Sequence, residues 1–180
     1  ATWYYNNTSG NGIQTINTTA SGSYSTAMGS NTTAIGGAST AMGGGTLASG
    51  QNSTAMGYET TASGLGSTAM GIKTIASGVY STAIGSGTEA SNYDSTAMGF
   101  YTTASGLGST AMGSYTTASG GISTAMGSYT TASDYGSLVI GQYNNSLSSI
   151  TSGGSATAYD ADNTAFVIGN GADADNRSDA

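Results

Sequence analysis

Ser-Thr-Ala-Met-Gly, or a close variant, begins at Ser25, Ser39, Ser53, Ser67, Ser81, Ser95, Ser109, Ser123 and Ser137, an unbroken series at constant spacing. All seven methionines of the chain fall at the fourth place of this unit: Met28, Met42, Met56, Met70, Met98, Met112 and Met126. Ile84 and Ile140 take the two remaining places. A fixed period with a fixed residue type marks a stack of repeats, in which each unit buries its small core only against its neighbours.

Counting Ser25 as position 1, positions 8–12 read Thr-x-Ala-Ser-Gly in most copies, as in Thr60-Thr61-Ala62-Ser63-Gly64, and position 14 is followed by the next Ser. Positions 6–7 and 13–14 vary widely. Gly and Thr at this density are poor helix formers, and no apolar stripe of helical period occurs. The expected fold is all-β: a parallel β-roll, or solenoid, whose 14-residue coils hold two short strands and two two-residue turns. Coils would stack at about 4.8 Å, the spacing of paired strands. The chain contains no proline, which suits a backbone committed to long ladders.

Strands alternate faces with period two, so positions 1, 3 and 5 (Ser, Ala, Gly) share one face and positions 2 and 4 (Thr, Met) the other. Position 10 is Ala from Ala20 through Ala132, whereas position 9 takes Thr, Leu, Ile or Glu and is expected at the surface. Facing alanines would then form a thin, methyl-lined interior. Two buried methyls per coil contribute only about 1–2 kcal/mol, far less than ordering a whole coil costs. A Met/Ile column on the outer face asks for cover, because a long apolar stripe is unstable in water. The outer column is therefore expected to be an oligomer interface. The alternative reading puts Met inside the coil and Ala outside.

Residues 1–17 read as a cap carrying Trp3-Tyr4-Tyr5, residues 18–141 as the roll, and residues 142–180 as an irregular coil and closing segment. Phe166-Val167-Ile168-Gly169 recurs two whole periods after the unit at Leu138, which suggests one irregular coil in between.

Catalytic chemistry has few means here. Without His or Cys, Ser–His and Cys–His pairs cannot form, so no enzyme and no cofactor are expected. Gly64-Leu65-Gly66-Ser67-Thr68-Ala69 fits a dinucleotide fingerprint by letter only, since no helix would follow it. A net charge of −7 with two basic residues, Lys73 and Arg177, argues against nucleic acid as a partner. No apolar run is long enough for a spanning helix, so no membrane insertion is expected of this segment, and no signal peptide is visible. Asp160, Asp162, Asp173 and Asp175 alternate in two Asp-Ala-Asp-Asn segments and are weak Ca²⁺ candidates. Asx turns in a solvated cap are the simpler reading, and Arg177 is expected to pair with a nearby or neighbouring-chain Asp rather than with a ligand. Tyr101, Tyr115, Tyr129 and Tyr143 all hold position 7 and should form an aromatic ladder, either stiffening the turns or offering a binding surface.

Ser-x-Ala-(Ile/Met)-Gly alternating with x-x-Ala-x-Gly at this period over residues 11–141 resembles the YadA-like head repeat of trimeric autotransporter adhesins. The closing stretch from Phe166 to Gly171, with Asn176-Arg177-Ser178-Asp179-Ala180 after it, also resembles the end of such heads. The resemblance implies a left-handed roll, three chains about a threefold axis, and adhesion at the cell surface to host, matrix or other cells, through protein or glycan. The stalk heptads and membrane barrel of that family are not in this sequence. Two alternatives stay open: a subunit of an extracellular filament joined end to end through the Trp3 and Phe166 ends, and an ice-binding solenoid. The latter would use Thr61/Ser63, Thr103/Ser105, Thr117/Ser119 and Thr131/Ser133, although Leu47, Ile75 and Glu89 interrupt position 9.

Overall fold

The computed structural model describes residues 4–6, 12–15, 17–144 and 154–180. Trp3 of the expected cap lies outside the described residues. The chain is a parallel β-solenoid of 14-residue coils, divided into two compact units, Ala1–Gly87 and Thr88–Ala180. Each coil from Ser25 through Gly136 contributes a five-residue strand over positions 2–6, such as Thr54–Tyr58 or Thr110–Ser114, and a two-residue strand over positions 9–10, such as Thr61–Ala62 or Thr117–Ala118.

In the first unit the long strands from Thr26–Ser30 to Thr82–Ser86 pair in parallel and in register, so Met28, Met42, Met56, Met70 and Ile84 succeed one another in one column. The described N-terminal residues add a hairpin to this sheet: Tyr4–Asn6 runs antiparallel to Gly12–Gln14, which pairs in parallel with Thr26–Ser30. In the second unit Thr96–Phe100, Thr110–Ser114, Thr124–Ser128 and Leu138–Gln142 pair with one another in parallel and in register, aligning Met98, Met112, Met126 and Ile140.

Side-chain size explains the thin interior. Ala at positions 3 and 10 is 0% exposed from Ala20 through Ala132, and Ser at position 1 and Thr at position 8 are buried beside it. Val139 is the largest fully buried apolar side chain among the described residues. Among the described residues, thirteen core hydroxyls have no hydrogen-bond partner within the chain. Ser81 and Ser137 show how a serine can avoid that cost, which is about 1–3 kcal/mol per group. Their hydroxyls donate to the carbonyls of Gly78 (2.7 Å) and Asp134 (2.8 Å), three residues back. Ser109, whose own N–H reaches the carbonyl of Gly106 at 3.2 Å, has the same acceptor within a χ1 rotation.

Strict alternation fails at position 5. The glycines there are not part of the interior, because their φ values lie between +101° and +129° and turn the strand before its last residue. The reason is close approach: a Cβ on Gly113 would lie 2.0 Å from the carbonyl oxygen of Gly127 in the next coil. Position 12 has a similar constraint, with a Cβ on Gly106 falling 2.0 Å from the oxygen of Gly120.

Both turns are built on a left-handed residue. Every described non-glycine residue with positive φ occupies position 7 or 14, including Tyr80, Lys73 and Ile122. The N–H at these places donates to the preceding coil, as from Tyr129 to the Ser114 carbonyl at 2.8 Å and from Ile122 to that of Leu107 at 2.7 Å. Ile122 is β-branched at φ 56° and exposed, the costliest choice for such a turn. Left-handed geometry costs an L-residue about 1–2 kcal/mol, against roughly 0.5–1 kcal/mol of extra chain entropy for glycine. Ile122→Gly is therefore expected to raise the melting temperature slightly, by about 1–4 °C. A lower melting temperature would contradict this account of the turn.

The closing segment differs from its sequence reading. Phe166–Asn170 pairs directly with Leu138–Gln142, so the double interval is one step of the sheet. Asp134 replaces the position-12 glycine at this step. Its buried carboxylate accepts the Thr164 N–H at 2.7 Å, while the Tyr135 N–H donates to the Ser155 carbonyl at 2.8 Å. Ser178–Ala180 then folds back along Phe166–Asn170: the Asn170 N–H donates to Ser178 and the Ala180 N–H to Ile168.

Candidate interaction surfaces

Met28, Met42, Met56, Met70, Met98, Met112 and Met126, with Ile84 and Ile140, are all half-buried on the outer face of the long strands. The alternative placement of Met inside the coil is excluded by the fully buried alanines one residue earlier. Thr at position 2 is likewise half-buried beside them, from Thr26 to Thr82 in the first unit and from Thr96 to Thr124 in the second. Position 9 is half-buried or exposed in every described coil.

Tyr101, Tyr115, Tyr129 and Tyr143 are brought together as a stacked ladder. Ring centroids are 5.4, 4.6 and 4.6 Å apart along the series, with interplanar angles of 8°, 11° and 10°. Phe100, at position 6, packs edge-on against Tyr101 and Tyr115 at 4.6 and 5.4 Å. Tyr101 and Tyr115 remain 52% and 41% exposed, so the outer rungs are open to solvent. The left-handed turn at position 7 points each ring the same way, and stacking offsets part of the backbone cost.

Arg177 closes the ladder, and within the chain its partners are backbone carbonyls and a ring rather than a nearby Asp. Its guanidinium donates to the carbonyls of Tyr129 (3.1 Å) and Asn144 (3.3 Å) and lies 5.8 Å from the centre of the Tyr143 ring. Asn144 makes this possible. It stands at position 8, where the coils below have Thr, and its side-chain amide accepts the Thr131 N–H at 2.8 Å and donates to the Thr131 carbonyl at 3.1 Å. In the coil below, the Thr117 N–H donates instead to the backbone carbonyl of Thr130, at 2.8 Å. The amide thus stands in for the next coil's backbone and leaves its own carbonyl to Arg177. Nothing in the repeat pattern marked Asn144. Its one available signal was an Asn where every preceding copy has Thr.

The four acidic candidates make turns. Asp160 accepts the Asp162 N–H at 3.0 Å, and Asp173 accepts the N–H groups of Asp175 (3.0 Å) and Asn176 (2.9 Å) together with the Asn176 side-chain amide. No cluster of three or more metal-binding acids occurs among the described residues. The Asn176 amide, then its backbone N–H and that of Asp175, hold the Asp173 carboxyl below its ordinary range. A depressed carboxyl favours the folded turn above the ordinary carboxylate pKa and loses that contribution as pH falls through the depressed value. The Asp175 and Asn176 amides are therefore expected to lose protection, measured against their intrinsic exchange rates, on acidification, and Asp173→Asn to remove that pH dependence. Identical profiles for both proteins would contradict it. Lys73 and Glu59 form an exposed pair at 3.6 Å on adjacent coils, worth little to stability.

In-register columns on a solenoid with small buried residues define a repeat scaffold whose chemistry lies on its outer faces. The pattern of the YadA head domain repeat matches this chain in overlapping copies from residues 16–32 through 118–144. The chain belongs to that family of head domain repeats. No match was found among curated proteins. No described helix is long and apolar enough to cross a membrane, which says nothing of β-barrels.

Proposed function

We propose that the chain is the head of an extracellular surface fibre, assembled as a homotrimer through its Met/Ile and Thr columns, and that it mediates adhesion. The observation that carries this reading is the pairing of a core built from Ala, Ser and Thr with a half-buried column of Met and Ile outside it. The interior supplies too little apolar burial for a free coil, and each covered Met adds about 1.5–3 kcal/mol. Membership of the YadA head family supports three chains and a cell-surface location. Adhesion falls to the variable turns and position 9, including the exposed rungs Tyr101 and Tyr115. Beads coated with the chain should attach to surfaces carrying matrix protein or glycan, and Tyr101→Ser/Tyr115→Ser beads should attach less. Equal attachment to bare and coated surfaces would remove the adhesive part of the proposal. The filament alternative has less support, because the Phe166–Asn170 edge is already taken by Ser178–Ala180. The ice-binding alternative is weakened by the burial of Ser133 and by exposed Ile75 and Glu89. Thermal hysteresis would revive it.

A further inference from the structure

We propose that the tyrosine ladder of the second unit is a site of oxidative cross-linking, at which a one-electron oxidant joins adjacent rungs as dityrosine and staples successive coils of one chain. The inference needs neither the trimer nor adhesion. Tyr115 and Tyr129 have ring centroids 4.6 Å apart and planes 11° from parallel, and Tyr129 and Tyr143 stand at 4.6 Å and 10°. Each ring therefore faces the next. The backbone beneath them is held, because the N–H groups of Tyr115, Tyr129 and Tyr143 donate to the preceding coil at 2.8, 2.8 and 2.9 Å. Tyr101 and Tyr115 are 52% and 41% exposed and give an oxidant access, while Tyr129 and Tyr143 are half-buried beside them. Position 7 is a turn, outside positions 2 and 4 on which the proposed contact between chains rests.

Stacking suits the chemistry. Loss of one electron and one proton from each of two phenols leaves two neutral phenoxyl radicals, with spin on oxygen and on the ring carbons ortho and para to it. The para carbon carries the side chain, so coupling falls to an ortho carbon, Cε. The new carbon–carbon bond forms perpendicular to both rings, the direction in which stacked neighbours already face each other. Each joined carbon then loses its proton and each oxygen regains one, restoring both phenols. The net change is the loss of two hydrogen atoms per link, which reduce one hydrogen peroxide to two waters when a haem peroxidase is the oxidant. Residue choice agrees. Other copies hold Asn31, Gly45, Glu59, Lys73 and Gly87 at position 7 with the same left-handed backbone, so the turn does not demand Tyr. Phe would stack as well, and none of the four phenol oxygens has a hydrogen-bond partner among the described residues. What Tyr adds is a solvated, oxidisable phenol. The chain has no Cys, so no disulfide braces its coils.

The full chain is treated with a haem peroxidase and a small excess of hydrogen peroxide, then read by dityrosine fluorescence, denaturing electrophoresis and peptide mapping. Wild type is expected to give links between adjacent rungs of the ladder, in a product with the mobility of a single chain, although Tyr24 and Tyr159 are more exposed at 74% and 83%. Tyr115→Phe/Tyr143→Phe keeps the stacked rings but leaves no two tyrosines on adjacent rungs. It should retain the wild-type circular dichroism and lose the intrachain link. Absence of dityrosine in wild type, or links confined to Tyr24 and Tyr159 between chains, overturns the inference, and so does an undiminished intrachain link in the double variant. Oxidation of the wild-type chain in denaturant gives a reading that needs no variant. Links scattered over all tyrosines are expected there, and ladder pairs at their native yield would refute selection by the folded geometry.

Discussion

Gly113→Ala is expected to destabilise the second unit by at least about 4 kcal/mol, a size reserved for a few mechanisms. Two causes act together. Gly113 has φ +123°, which L side chains rarely adopt, and the new Cβ would sit 2.0 Å from the Gly127 oxygen and 3.0 Å from its carbon and nitrogen. The obstacle is backbone, so no rotamer change relieves it. Parting the coils far enough to admit the methyl would break the ladder between Thr110–Ser114 and Thr124–Ser128. A fall in melting temperature of roughly 8–16 °C or more follows for a chain of this length. Gly136→Ala provides the comparison, because its φ is +71° but its Cβ would meet nothing within 4 Å. It should cost only about 1 kcal/mol. Equal melting temperatures for the two variants would show that close approach does not fix position 5.

Replacing Met56, Met70 and Met98 together by Ser is the second large effect. Under the trimer proposal each loses about 1.5–3 kcal/mol of burial against the partner chains and places a hydroxyl in an apolar seam. Stability of a typical domain is only about 5–15 kcal/mol, so the expected outcome is dissociation followed by unfolding of the thin roll. Analytical ultracentrifugation with circular dichroism reads both events. Sedimentation unchanged from wild type would mean that the column is not the interface. Met56→Ile/Met70→Ile/Met98→Ile makes the opposite prediction for mass, because an apolar side chain stays in each place, as at Ile84 and Ile140.

Much of the fold was legible because it repeats. Nine copies of one unit fixed the period, and the alternation of Ala with Thr and Met separated the inner from the outer face. The Tyr ladder followed from the same arithmetic, since equal positions in successive coils must stack. Other features escaped for physical reasons. Period-two alternation put Gly113 and its equivalents inside the coil, although close backbone approach and positive φ are what require glycine there. The interval from Leu138 to Phe166 satisfied two periods by count, yet the two residues pair directly as one step of the sheet. Asn144 and Asp134 act through side-chain hydrogen bonds that replace or anchor backbone, and a repeat pattern marks such departures without showing what they bond to. The surface columns were visible as spacing, but their partners are set by chains and ligands outside this sequence.

The central claim is that a roll with an Ala, Ser and Thr interior stands only when its Met/Ile face is covered by other copies. Light scattering of the folded, full-length chain tests it most directly. The account predicts a mass three times the 17.5 kDa of one chain. A folded, cooperatively melting species of 17.5 kDa would contradict it.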